Sequence, residues 1–130
     1  LQRLRLPFSL GLGGRLGNGN QFMPWIHRED EVRAILFLMD NSQARGPYNL
    51  VSPNPVTNRE MTRAIGRALN RPTPFPVPAS LLKLGLGELS RLLLTGQQAL
   101  PARLQAAGFQ FLYADLEQAL ADAFSALRAA

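Results

Sequence analysis

Pro72, Pro74, Pro76 and Pro78 alternate with other residues, and nothing else in the 130-residue chain limits its fold so strongly. Each proline fixes its own φ, removes a backbone donor and restricts the residue before it. Neither a helix nor a central strand can run through such a segment, so it predicts a stiff, extended connection. The opposite constraint acts at the start of the chain. Gly11, Gly13, Gly14, Gly17 and Gly19 lie where a helix would lose about 1 kcal/mol per interior glycine relative to alanine. That region predicts a short extended segment followed by a flexible loop.

The remaining patterning is mostly helical. Glu29, Asp30 and Glu31 are suited to the first turn of a helix, where the dipole favours negative charge. Val32, Ile35, Leu36 and Met39 recur at helical spacing as its apolar stripe, predicting a helix from about Arg28 to Asp40. After the Gly46-Pro47 turn, Tyr48–Val51 predicts a short strand ended by Pro53 and Pro55. Thr57-Asn58-Arg59-Glu60 has the form of a capping box. It opens a helix that buries Met61, Ile65, Ala68 and Leu69 and stops before Arg71-Pro72. Ala79–Leu94 reads as helical but interrupted by Gly85 and Gly87. Pro101 suits the first turn of a helix ending at Gly108, Phe109–Tyr113 predicts a short strand, and a last helix begins near Asp115. The chain is thus expected to be one unit with three parts: a Gly-rich extended segment and loop over 1–27, a helix-strand-helix over 28–71, and the Pro-rich link with a helical extension over 72–130. The fold class is α/β, mostly helical with few short strands. Such strands make a poor sheet alone, which points to pairing with a larger sheet or a second copy.

Composition removes several classes of function. There is no cysteine, which excludes disulfides, thiolate metal sites and a cysteine nucleophile. No apolar run approaches the length of a membrane span and the start does not read as a signal peptide, so no membrane partner and a cytoplasmic location are expected. The net charge is +5 with 14 basic residues, all arginine except Lys83. Arg59, Arg63, Arg67 and Arg71 fall on one helix face and could form a basic nucleic-acid- or anion-binding module. The preferred reading is a solvated outer face. Aromatics do not interleave with the arginines, and a recognition helix would need a preceding helix where Pro53 and Pro55 stand, so nucleic acid is a disfavoured partner.

The individual candidates for chemistry are few. Gly11-Leu12-Gly13-Gly14 is not followed by a helix, as a dinucleotide-binding loop requires, and reads better as a mobile loop closing over a substrate. His27, the only histidine, lacks a Gly-x-Ser-x-Gly nucleophile elbow or companion ligands. It reads with Asp30 as a structural helix start, Asp30 binding backbone N–H groups there. Carbonyl reduction by a Tyr/Lys pair needs a lysine four residues after a tyrosine. After Tyr48 and Tyr113 stand Ser52 and Glu117. No catalytic, cofactor-binding or metal-binding residue is therefore expected in this chain.

The order of parts carries a resemblance. Gly17-Asn18-Gly19-Asn20-Gln21-Phe22-Met23-Pro24-Trp25-Ile26-His27-Arg28-Glu29-Asp30 is similar to the extended short-chain dehydrogenase segment Gly-Asp-Gly-x-Gln-x-Arg-Asp-Phe-Val/Ile-x-Val-x-Asp. Gly46–Ser52 followed by Pro55-Val56-Thr57 resembles the next strand and helix of those proteins. Trp25-Ile26-His27, Val51-Ser52-Pro53, Gly87-Glu88 and Gly96–Pro101 resemble the epimerase-family subgroup that ends in a small helical extension. The resemblance implies the C-terminal, substrate-side part of a Rossmann-type protein, without the dinucleotide-binding half. That half would bind NAD(P) and supply the catalytic pair; no cofactor is expected on this chain. The matched motif makes Gln21, Met23 and Trp25 the candidate substrate contacts. Where members acting on nucleoside-diphosphate sugars have Arg and Asp, this chain has Met23 and Pro24. Met23 offers no fork to a diphosphate, which implies a less charged substrate or a reductase. The missing half is the expected partner of the whole protein, and a second copy that of the isolated chain.

Overall fold

The computed structural model describes residues 14–71, 73, 76–88 and 94–129. Gly11–Gly13, Pro72 and Pro74 lie outside the described residues. In order, the elements are β1 (Phe22–Met23), α1 (Arg28–Asp40), β2 (Val56–Thr57), α2 (Asn58–Ala68), α3 (Ala79–Leu86), α4 (Ala102–Ala106) and α5 (Leu116–Ala129). The fold is mostly helical with a two-stranded antiparallel sheet, in which Phe22 opposes Thr57 and Met23 opposes Val56.

The helix boundaries follow from local chemistry. The His27 ring caps α1, its Nδ1 accepting the Glu29 N–H at 3.3 Å. At α2 the Thr57 hydroxyl accepts from the Glu60 N–H while the Glu60 carboxylate accepts from the Thr57 N–H at 2.7 Å. The Thr57 N–H and hydroxyl, both donating to the Glu60 carboxylate, hold it below its ordinary pKa, with the Arg63 charge adding to the effect. The α3 helix ends at Gly87 with φ of 54°, one of the two glycines expected to interrupt this stretch. Gly108 follows α4 with φ of 95°, and Asp115 caps α5 by accepting from the Glu117 and Gln118 N–H groups, both at 3.0 Å.

Two apolar clusters fill the interior. Ala64 and Ile65 of α2 pack on Leu116, Leu120 and Phe124 of α5, with Trp25 and Val56 at the edge. Ala34 of α1 packs on Leu104 of α4 and on Phe109, flanked by Phe37, Leu38, Tyr48 and Leu50.

Four sequence expectations are corrected here. The apolar stripe assigned to α1 faces outward: Val32, Ile35, Leu36 and Met39 are 45–76% exposed. The inward face is Asp30, Ala34, Phe37 and Leu38, and the reason is Asp30. Its fully buried carboxylate accepts the Leu112 and Tyr113 N–H groups, each at 2.8 Å, and Arg33 Nη1 at 3.0 Å. A buried carboxylate so held sets the roll of the helix, and the wider apolar stripe takes what is left. The donors to Asp30 therefore belong to a segment 82 and 83 residues away, not to the helix start. For the same reason Phe109–Tyr113 is not a strand: the Leu112 and Tyr113 N–H groups meet a side chain, and the Phe109 N–H meets the Leu104 carbonyl at the end of α4. Tyr48–Val51 is likewise extended but unladdered. It lies over the second cluster through Tyr48 and Leu50, and Ser52 donates to the Trp25 carbonyl at 2.7 Å.

Two measurements check this account. Asp30→Ala leaves two backbone donors and a guanidinium without their acceptor, and each bond to a charged group is worth about 1.5–3 kcal/mol. The expected loss in chemical denaturation is about 3 kcal/mol or more; a loss within the ordinary surface range would show that Asp30 does not orient α1. Thr57→Ala is expected to cost about 1 kcal/mol at neutral pH. The lowered Glu60 carboxyl contributes stability that is full above its unfolded value of about 4.3 and is lost as pH falls through the folded value. The gap between wild type and Thr57→Ala should therefore narrow in acid; a constant gap counts against the box.

Candidate functional site: the glycine loop and its basic cleft

From Arg15 onward the glycine segment is fastened, not loose. Leu16 forms a parallel bridge with Val77, with Gly17 N–H donating to the Val77 carbonyl at 3.0 Å and Val77 N–H to the Arg15 carbonyl at 2.8 Å. The loop is also tied to the start of α2. Leu16 N–H donates to Asn58 Oδ1 at 2.7 Å, and the Asn58 and Arg59 N–H groups donate to the carbonyls of Gln21 and Gly19. Arg59 Nη2 reaches back to the Asn18 carbonyl at 2.9 Å and to Asn20 Oδ1. Gly19 has φ of 72°, and a Cβ there would lie 3.2 Å from Arg59 Cβ and 3.4 Å from Arg15 Cβ. Glycine at this position admits both a left-handed backbone and the close approach of two arginine side chains.

The candidate substrate contacts are distributed along this loop and β1. Gln21 is buried, and its Nε2 donates to the Leu16 carbonyl at 3.1 Å. Met23 is half-buried in β1 opposite Val56. Trp25 is half-buried against the first cluster, and its indole N–H donates to the Asn54 carbonyl at 3.1 Å. The Gly96-Gln97-Gln98 run lies against β1: a Cβ on Gly96 would fall 2.0 Å from the Phe22 carbonyl oxygen.

His27 and Asp30 belong to the scaffold. The His27 ring is buried, stacks on Tyr113 with centroids 4.0 Å apart, and sets Nε2 3.2 Å from Asp122 Oδ2. Because Nδ1 accepts the Glu29 N–H, the bond pattern assigns the ring proton to Nε2. The Tyr113 phenol is pushed above its ordinary pKa by removal from water and then by the Asp122 charge. A reductase tyrosine needs the reverse, a neighbouring cation that lowers it. Among the described residues no three His, Asp or Glu side chains converge on a possible metal position, and no helix is long and apolar enough to cross a membrane.

Sequence reasoning missed a basic cleft. Arg15, Arg59, Thr62, Arg63, Thr73 and Pro76 line a cavity of about 280 Å³. The arginine stripe is divided in the fold: Arg67 pairs with Glu117, Arg59 turns to the loop, and Arg63 remains exposed. Arg15 is brought beside them by the bridge to Val77. Only the four-residue spacing of Arg59 and Arg63 was visible beforehand; Arg15 shares no periodicity with them. Gln21, Met23 and Trp25 do not line this cleft.

Comparison with known proteins places the chain. Residues 77–123 match a domain of unknown function (DUF1731). An epimerase family protein of Mycobacterium leprae is 51% identical over 121 residues, 92% of this chain and 39% of the relative. One from Staphylococcus aureus is 42% identical over 96% of this chain and 42% of the relative. The chain thus spans about two-fifths of the length of these relatives. Among solved structures, the human epimerase family protein SDR39U1 (isoform 2), crystallised with NADPH, superposes with a TM-score of 0.88 at 35% identity, over 93% of this chain and 41% of the human one. A nucleoside-diphosphate sugar epimerase from Corynebacterium glutamicum gives 0.63 at 30% identity, over 91% of this chain and 22% of that one. Residues 77–123 thus match DUF1731, and more than nine-tenths of the chain is similar to a part of epimerase family proteins, about two-fifths of their length.

Proposed function

We propose that this chain is the substrate-side portion of an NAD(P)-dependent epimerase-like or reductase protein, and that it is not catalytic alone. The observation that carries this reading is the backbone likeness to a protein solved with NADPH, of which the chain covers only 41%. The residues described here do not themselves fit a dinucleotide. A pyrophosphate requires free N–H groups at a helix start after a strand and a glycine turn. The first N–H groups of α2 are already bonded to Gln21 and Gly19 carbonyls and to the Thr57 hydroxyl, and Gly17 and Gly19 lead into a strand. No tyrosine has a lysine four residues on. The cofactor and the Tyr/Lys pair belong to the part of the protein beyond this chain.

Within the substrate side, Gln21 shapes the loop from beneath, while Met23 and Trp25 offer apolar contact. A thioether where a diphosphate-binding arginine would stand favours a substrate with little charge at that point. The exposed stripe Val32, Ile35, Leu36 and Met39 of α1 is the surface that the remaining three-fifths of such a protein covers. In the isolated chain a second copy is its occupant, since contiguous apolar surface of this kind finds a partner.

Two outcomes follow. Titration of the 130-residue chain with NADPH, read by fluorescence, is expected to give no saturable binding at micromolar concentrations; saturation would overturn the division of labour. Sedimentation at micromolar concentration is expected to show a dimer that Leu36→Glu weakens. A clean monomer would show that the α1 stripe does not drive association.

A further inference from the structure

We propose that the Arg15–Arg59–Arg63 cleft is a binding site for the phosphate group of a small ligand, separate from the loop positions Gln21, Met23 and Trp25. The lining is three arginines, two threonines and a proline, without a carboxylate. Of the carboxylates on the neighbouring helices, Glu60 is hydrogen-bonded to Thr57 in the capping box, where its charge is felt by Arg63, and Glu117 pairs with Arg67; neither lines the cleft. Three guanidinium groups held around one cleft repel each other, and an anion between them relieves that repulsion. Their planar forks match phosphate oxygens, and threonine hydroxyls complete the donor set. A second observation points the same way. Arg59 Nε is shut off from solvent and has no acceptor among the described residues, although Nη2 of the same side chain is bonded to Asn18 and Asn20. A buried charged donor without an acceptor is a poor arrangement unless a ligand supplies one.

The site is built by the fold rather than by chance proximity on a surface. Arg15 is set by the bond from Val77 N–H to its own carbonyl. Arg59, Thr62 and Arg63 are spaced by one turn of α2. Thr73 is brought over that helix by the chain reversal after it, where a Cβ on Gly66 would lie 2.8 Å from Thr73 Cγ2. A cavity of about 280 Å³ sits at the small end of ligand pockets, so it suits a phosphorylated small molecule or the phosphate end of a larger one. A nucleic-acid backbone would need cations spread along an open face. Here Arg67 is paired and Arg59 turns inward, so the row is broken and its remaining charges converge.

The test is a titration of the ¹⁵N-labelled chain at low ionic strength with inorganic phosphate, with pyrophosphate and with a short DNA duplex, following backbone amide shifts. Saturable shifts at Gly19, Arg59, Thr62 and Arg63 are expected. Arg15→Gln and Arg63→Gln should each weaken binding about tenfold, the loss of about one charge-assisted contact. Neither guanidinium carries a hydrogen bond of the fold among the described residues, so both variants should fold. Arg28→Gln removes an equal charge from exposed α1 and should leave affinity unchanged. Tighter phosphate than pyrophosphate identifies a monoester ligand, and the reverse order a diphosphate. The proposal is overturned by an absence of saturation at millimolar anion, by equal weakening in Arg28→Gln, or by duplex binding that follows total charge alone. Failure here leaves the substrate-side reading standing, because that rests on the backbone likeness to the protein solved with NADPH and is tested by the NADPH titration.

Discussion

The Asp30 carboxylate is the constraint from which much of the architecture follows. A full negative charge out of water has to be met by donors on nearly every lone pair. Leu112 and Tyr113 supply two from the backbone and Arg33 supplies a third from the side chain. Arg33 also donates to the Gln110 carbonyl and lies over the Phe109 ring, so one side chain clamps the same segment twice. With α1 rolled to satisfy the charge, Ala34 is carried against Leu104 and Phe109. The more apolar side of the helix is left outside. Hydrophobic burial would have chosen the other face; an unmet buried charge costs more than a few exposed aliphatic side chains return.

A second set of polar ties works at the start of α2. The Thr57–Glu60 box starts α2, and the Asn58 and Arg59 N–H groups within it close on the glycine loop. Loop and helix therefore move as one body, and Arg59 belongs to both. An anion held by Arg59 and Arg63 would bear on the loop that leads to Met23 and Trp25 without touching either residue. The Asp122–His27–Tyr113 contacts join the start of α1 to α5 and to the segment that holds Asp30.

Features written in consecutive residues were legible before any coordinates. The acidic first turn of α1, the Thr57 box, Pro101 before α4 and Asp115 before α5 each act within one helical turn, and each lies where its spacing places it. What escaped depends on partners far along the chain. Tyr48–Val51 and Phe109–Tyr113 have strand-like composition, but a strand requires a neighbour, and their polar groups and side chains are met by Trp25, Asp30 and the second cluster instead. The inward face of α1 was misjudged because counting apolar residues ignores what a single buried carboxylate demands. The basic cleft was half visible as a stripe; Arg15 joins it only through a bridge to Val77. The epimerase-family text in Gly17–Asp30 and Gly96–Pro101 was recognisable because it consists of turn glycines and close approaches, which tolerate few alternatives.

The contact between Gly96 and β1 bears on what the DUF1731 segment needs from the rest of the chain. Gly96 lies inside residues 77–123 and Phe22 outside them, and the two backbones meet with no room for a methyl group between them. Both apolar clusters straddle the same boundary: Leu116 and Leu120 need Ala64 and Ile65, and Leu104 needs Ala34. A segment whose clusters are completed by what precedes it does not close a core from its own side chains alone. A chain carrying the DUF1731 segment without an equivalent of β1, α1 and α2 would leave Leu104, Leu116 and Leu120 without the side chains they pack on.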